Sequence, residues 1–287
     1  MSQASAFAKT FGVFAVVFLI IYAVAGALAL FLPVWSLGYI LMFTGFAVAL
    51  NLVTYFLSDK LVLMGYRVRL VAPEEAPELH ALVERVAKAA GVPKPKVGVM
   101  REGSPNAFAT GRNPKRGVVC FTTGILDLLT PHELEGVVAH ELSHVKNRDT
   151  LVMTAVATVA AFFAYIIQFG GMAATSRGGR GGGGIAAYIL LSLVAGIAAA
   201  LIRAFVSRRR EYGADRTGAS ILHDSTGLSK ALLKLDYANR GKPMRVAREA
   251  SAHLFIVNPF SGRRVGGLFQ SHPPIAERVR QLGELDY

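Results

Sequence analysis

Two histidines four residues apart, His140 and His144, bracket Glu141 in the run Val138-Ala139-His140-Glu141-Leu142-Ser143-His144-Val145. On an α-helix, positions i and i+4 lie one above the other on the same face, so both imidazoles can aim at a single ion. Zinc is the ion this spacing suits. A carboxylate beside the first histidine of such a pair takes a proton from a metal-bound water rather than binding the metal itself. Water polarised in this way ionises near neutral pH and can attack a peptide carbonyl. A His-Glu-x-x-His match also arises by chance, so the rest of the chain has to supply a helix, a third ligand and a place for a substrate.

The helix is legible on its own terms. Thr130-Pro131-His132-Glu133 offers an N-cap hydroxyl, a proline at the first helical position and a glutamate three residues after the cap. That is the pattern of a capping box, and it predicts a helix starting at Pro131. Leu134, Val138, Leu142 and Val145 then recur at helical spacing as a buried stripe, with His140 and His144 on an adjacent face.

An open catalytic zinc site needs three protein ligands. Arg208-Arg209-Arg210-Glu211-Tyr212-Gly213-Ala214-Asp215 places two carboxylates four residues apart. Glu211 can reach the metal while Asp215 orients a ligand histidine from behind. The plainer alternative is that both acids neutralise the neighbouring arginines.

Composition narrows the setting. The 287 residues are 53% hydrophobic and only 17% charged, with a single cysteine, Cys120. These proportions, with a mean hydropathy of +0.42, point to a membrane protein. No charged residue occurs from Thr10 to Ser58, enough for two spans with a turn near Pro33-Val34-Trp35-Ser36. The length of that stretch, and Lys9 as the one charge before it, argue against a cleaved signal peptide. Thr150 to Ser176 and Gly181 to Ile202 can each span a bilayer. The glycine-rich run 176–184 between them reads as a flexible turn, and it lacks the preceding strand and closing Lys-Ser/Thr of a phosphate loop.

The predicted organisation is a transmembrane hairpin over 1–58, a polar α+β portion with the zinc helix over 59–149, a second hairpin over 150–207, and a helical portion over 208–287. Basic residues follow spans two and four, which puts both polar portions in the cytoplasm. The net charge of +12 then reflects that bias and attraction to lipid headgroups, with no call for a nucleic acid partner. Two spans separate His144 from Glu211, which returns both to one side of the membrane. One cysteine excludes an intramolecular disulfide and fits a small core position.

Within 59–149, Ala76–Ala90 reads as an amphipathic helix, and Lys96–Met100 and Gly117–Thr122 as short strands. Ser104–Gly111 lies between the strands. An extended segment beside a zinc helix is a place where a peptide could add as a further strand, held by main-chain bonds. An ordinary hairpin strand fits the same signals. His80, His132, His223 and His253 have no partner pattern and are assigned to structure. Asp224-Ser225-Thr226 caps a following helix, and a last helix is expected from Pro274 through Leu282.

His140-Glu141-Leu142-Ser143-His144-Val145-Lys146-Asn147-Arg148-Asp149, Arg209-Arg210-Glu211-Tyr212-Gly213-Ala214-Asp215 and Ser271-His272-Pro273-Pro274 together resemble the signatures of HtpX-type membrane zinc endopeptidases. The likeness covers nearly the whole chain, and it extends more distantly to the prenyl-protein (CAAX) peptidases. It implies a multi-pass α-helical membrane protein with a cytoplasmic, mainly α (α+β) zincin-like metalloprotease domain and one Zn2+ per subunit. The activity implied is hydrolysis of misfolded or damaged membrane proteins in the plasma or inner membrane, alongside other quality-control proteases. Residue by residue, it makes His140, His144 and Glu211 the zinc ligands, Glu141 the general base, and Asp215 the acid behind His140. It sets Asn106, Ala107 and Phe108 along the substrate, and gives His272 either the oxyanion or the metal in an inactive state; a helix-start residue is the bland alternative for His272. A narrow CAAX-type processing peptidase and a zinc-stabilised scaffold without activity are the competing functions.

Overall fold

The computed structural model describes residues 59–149, 208–241, 254–257 and 273–286, with single positions elsewhere. The chain divides into two compact units, one of Met1–Phe56 with Ala155–Phe205 and one of Leu57–Thr154 with Val206–Tyr287. The expected membrane hairpins lie almost wholly outside the described residues, as do His253 and His272. Among the described residues no helix is long and apolar enough to cross a membrane. The second unit carries the sheet and the histidine helix.

At its centre is a four-stranded mixed sheet in the order β1-β2-β4-β3, where β1 is Arg69–Leu70, β2 Lys96–Met100, β3 Ala107–Thr110 and β4 Val118–Thr122. β1 runs antiparallel to β2, β2 parallel to β4, and β3 antiparallel to β4 in the register Phe108 opposite Cys120. All five residues of β4 are buried. Its alternation divides two cores, as the two-residue period of a strand requires. Val119 and Phe121 face one cluster; Val118 and Cys120 face the other, with Tyr66, Met100, Phe108 and Phe255. β3 is therefore the edge strand nearest the helices.

The helices around this sheet are α1 Pro77–Ala90, α2 Thr123–Leu128, α3 Pro131–Lys146, α4 Arg208–Leu222, α5 Thr226–Gly241 and α6 Ile275–Gly283. α3 begins where its cap predicts. Thr130 Oγ1 accepts from the Glu133 N–H at 3.4 Å, and the Thr130 N–H donates to Glu133 Oε2 at 2.9 Å. Lys234 on α5 donates to the same Glu133 oxygen at 2.8 Å, so the box also fastens one helix to another. Asp224 caps α5 through the Thr226 and Gly227 amides.

One expectation changes. The sequence predicts a single buried stripe on α3, yet every residue from Gly136 to Val145 is buried. The helix runs through the middle of the unit, with α1, α4, α5 and β3 packed around it. Both histidines thus sit inside the protein rather than on a wet face.

Close helix contacts set that geometry. A Cβ added at Gly136 would lie 2.5 Å from the Leu228 backbone nitrogen, so α3 and α5 approach as near as the missing side chain allows. Gly136→Ala is expected to force the two helices apart and cost about 1–3 kcal/mol, the range for overpacking a filled interior. Denaturant titration of the purified protein measures it; an unchanged midpoint would contradict the packing described.

Candidate active site

α3 delivers His140, Glu141 and His144, and the first turn of α4 delivers Glu211. His140 Nε2 lies 3.3 Å from His144 Nε2, and Glu211 stands 3.8 Å from the first and 3.5 Å from the second. One ligand atom from each of the three residues falls within 4.8 Å of the others. All three side chains are buried. Two imidazole nitrogens and a carboxylate converging at this range could hold a metal ion, and this is a donor set that suits zinc.

The far side of each ring supports that use. His140 Nδ1 lies 2.9 Å from Asp215 Oδ1, and His144 Nδ1 lies 3.4 Å from Asp149 Oδ2. A carboxylate behind each ring holds the proton on Nδ1 and turns the Nε2 lone pair toward the ion, the usual outer arrangement for metal-binding histidines. Asp215 is itself held by Arg278, whose Nε and Nη2 donate to its two oxygens at 2.8 and 2.6 Å. This is a two-pronged bond of the strong, charge-assisted kind. Burial opposes the Asp215 charge, but the Arg278 guanidinium outweighs it and keeps the carboxyl below its ordinary range.

Glu141 has a different environment. Burial pushes its carboxyl up to about 7, with the nearby Glu211 charge adding to the rise and His144, Arg278 and the Ala109 backbone N–H opposing it. A carboxylate tuned near neutrality can both take and return a proton. Burial likewise disfavours a charge on His144, but its bond to Asp149 and the charges of Glu211 and Glu141 win and raise it to about 9.

α4 can come so close because of Gly218. A Cβ there would meet the His140 backbone nitrogen at 3.0 Å and the Ala139 carbonyl carbon at 3.1 Å. The helix carrying Glu211 and Asp215 is thereby laid against the backbone of the first histidine.

Peptidase family M48 matches residues 73–286. The chain belongs to this family. It is 45% identical over 251 residues to the "Protease HtpX homolog" of Pyrococcus abyssi, covering 86% of each chain, and equally to that of Pyrococcus furiosus. The "Protease HtpX homolog" of Methanocaldococcus jannaschii is 45% identical over 240 residues, 82% of this chain and 84% of the relative. Among solved structures, S. mikatae Ste24p overlays 93% of this chain with a TM-score of 0.53 at 20% identity, and the chain spans 62% of its length. That likeness shows a shared fold. The M48 chain is a metalloprotease by membership.

Of the residues singled out in the sequence, the structure gathers His140, Glu141, His144, Glu211 and Asp215, while His272 lies outside the described residues. Asn106, Ala107 and Phe108 do fall on or beside the edge strand β3 next to Glu141. Their side chains differ in address. Phe108 packs into the aromatic cluster with Tyr66 and Phe255, at centroid distances of 5.7 and 5.2 Å, and the outward main-chain groups of the edge belong to its neighbour Ala107 instead. His80 is buried against the Val71 carbonyl, and His132 pairs with Asp224 at 3.0 Å, both in structural roles.

Sequence alone assigns no role to Asp149 or Arg278. Arg278 did leave a signal: Ile275, Arg278 and Leu282 share one helical face at three- and four-residue steps, and a charge on an otherwise apolar stripe needs a buried partner. Asp149 follows the end of α3 and leaves no periodic trace.

Two outcomes are expected. Asp215→Asn should weaken metal affinity about 10–100-fold, the typical loss for a partner behind a ligand histidine, in competition with a chelator. Metal uptake must also discharge the His144 proton, held up to a pKa of about 9. Affinity should therefore drop as pH is lowered below about 9, with about one proton released per ion at neutral pH. Calorimetry in buffers of different ionisation enthalpy reads that release; none at pH 7 would refute the His144 state.

Proposed function

We propose that the chain is a membrane-anchored zinc endopeptidase that cuts misfolded or damaged membrane proteins on the cytoplasmic side. One observation carries the reading: the buried His140-His144-Glu211 set converges beside Glu141, on a helix packed against the edge strand β3. The apolar stretches Thr10–Ser58, Thr150–Ser176 and Gly181–Ile202 support the membrane setting, and basic residues after the second and fourth predicted spans support the orientation. The bilayer and other quality-control proteases are the partners this reading expects.

His140, His144 and Glu211 would hold one zinc ion. When bound, the ion supplies a Lewis acid and lowers the pKa of water at its open position. The chain does the rest. Asp215 and Asp149 keep the histidines turned inward, and Arg278 fixes Asp215. The Ala109 amide favours the ionised form of Glu141, which removes a proton from the attacking water and returns it to the leaving amine. An extended substrate lies along β3, gripped through its main chain by Asn106 and Ala107, which makes cleavage weakly dependent on sequence.

Full-length protein purified in detergent, wild type and Glu141→Gln side by side, tests this. The expected result is about one zinc per chain in both and cleavage of unfolded casein by the wild type alone. Cleavage should fall on acidification, with the acid limb no higher than the Glu141 value of about 7, because only the ionised carboxylate is a base. Equal cleavage by Glu141→Gln would sink the assignment. Zinc in both with cleavage in neither would favour a scaffold.

A further inference from the structure

The place on β3 where a substrate should lie is already taken by the chain itself. Phe255 forms an antiparallel bridge with Phe108. The Ile256 N–H donates to the Ala107 carbonyl at 3.0 Å, and Arg278 Nη1 donates to the Ile256 carbonyl at 2.9 Å. The Val257 N–H donates to Asn106 Oδ1 at 3.4 Å, and Asn106 Nδ2 donates to the Val257 carbonyl at 2.9 Å. Every main-chain polar group of Ile256 and Val257 is thus held, and every holder is a group of Asn106, Ala107 or Arg278.

These bonds read main chain, not side chain. The bond from the Ile256 N–H to the Ala107 carbonyl is of the kind by which an edge strand accepts any extended peptide, and the Asn106 and Arg278 side chains add grips on the same main chain. They also end at the chemistry. The guanidinium that grips the Ile256 carbonyl lies 3.6 Å from Glu211 Oε2 and is bonded to Asp215. Two residues along the same edge, the Ala109 amide faces Glu141 and favours its ionised form. Leu254, Phe255, Ile256 and Val257 are all buried, with Ile256 packed in the cluster that includes residues of α3.

We propose that Phe255–Val257 is an internal competitor for the substrate, docked on the peptide-binding edge of β3 in a latent state and displaced when a substrate strand enters. This rests on the reading that substrates pair with β3. Ala107 offers one outward carbonyl and Asn106 one amide head, so segment and substrate cannot use them together. The observed affinity for substrate is then reduced by the small fraction of chains whose edge is open.

The test compares wild type with Ile256→Ala and Val257→Ala as full-length, detergent-purified proteins, measuring zinc content and the kinetics of unfolded casein cleavage. Alanine keeps the main-chain groups and every gripping residue, and removes only the burial that favours the docked segment. The expected result is about one zinc per chain, a KM lowered about tenfold in Ile256→Ala and less in Val257→Ala, and little change in kcat. Zinc-loaded variants with unchanged or raised KM would overturn the competition, as would loss of zinc from both, which marks the segment as a fixed wall of the site. Wild-type cleavage with unaltered KM in the variants fails this inference alone. Absence of cleavage in wild type and both variants, with zinc bound, fails the peptidase reading as well.

Discussion

The guanidinium of Arg278 has no exposed surface, and a charge so placed survives only if every part of it is answered. Taking one such ion out of water costs several kcal/mol even after relaxation, and removing a partner from a buried pair is worse than never having the pair. Asp215 on α4 answers it with both oxygens, Ile256 answers with its carbonyl, and Glu211 stands within 3.6 Å. Because Asp215 also holds His140, the requirement to satisfy one arginine ties α6, α4 and α3 together, and a main-chain carbonyl at the β3 edge, here that of Ile256, completes the set. Stability and ligand geometry are one problem here, solved by the same atoms.

The sheet solves a different problem. β4 is buried on both faces and hides two cores, which leaves β3 as the strand whose outer edge meets the histidine helix. From Gly136 to Val145 α3 is buried all round, and the glycines at 136 and 218 permit that enclosure. Burial chiefly pushes Glu141 up, whereas His144 rises against its burial because Asp149, Glu211 and Glu141 outweigh it.

Much of this was legible in the sequence because it depends on neighbours in the chain. Thr130 and Glu133 announce the start of α3, the four-residue step of His140 and His144 announces a shared target, and Asp224 announces α5. Glu211 and Asp215 required an added argument, that a third ligand must exist and lie on the right side of two apolar stretches. What escaped depends on long-range register. Nothing near Ile256 says that it will lie against Ala107, nearly 150 positions earlier, since main-chain pairing leaves no mark on side-chain type. Arg278 lay between: its place on an apolar stripe signalled burial, but its partner could be named only with α4 in place.

Ala107 and Ala109 sit on the same edge of β3, one holding the Ile256 N–H and the other facing Glu141. Two residues of extended antiparallel chain measure about 6.8 Å. The spacing between the grip and the base is therefore a ruler made of backbone, graduated by the pleat and indifferent to which side chains decorate it. Swapping one alanine for another small residue leaves the graduations untouched, whereas inserting a single residue moves them by half a period and turns the holding group away. The site's calibration thus resides in the count of residues along β3.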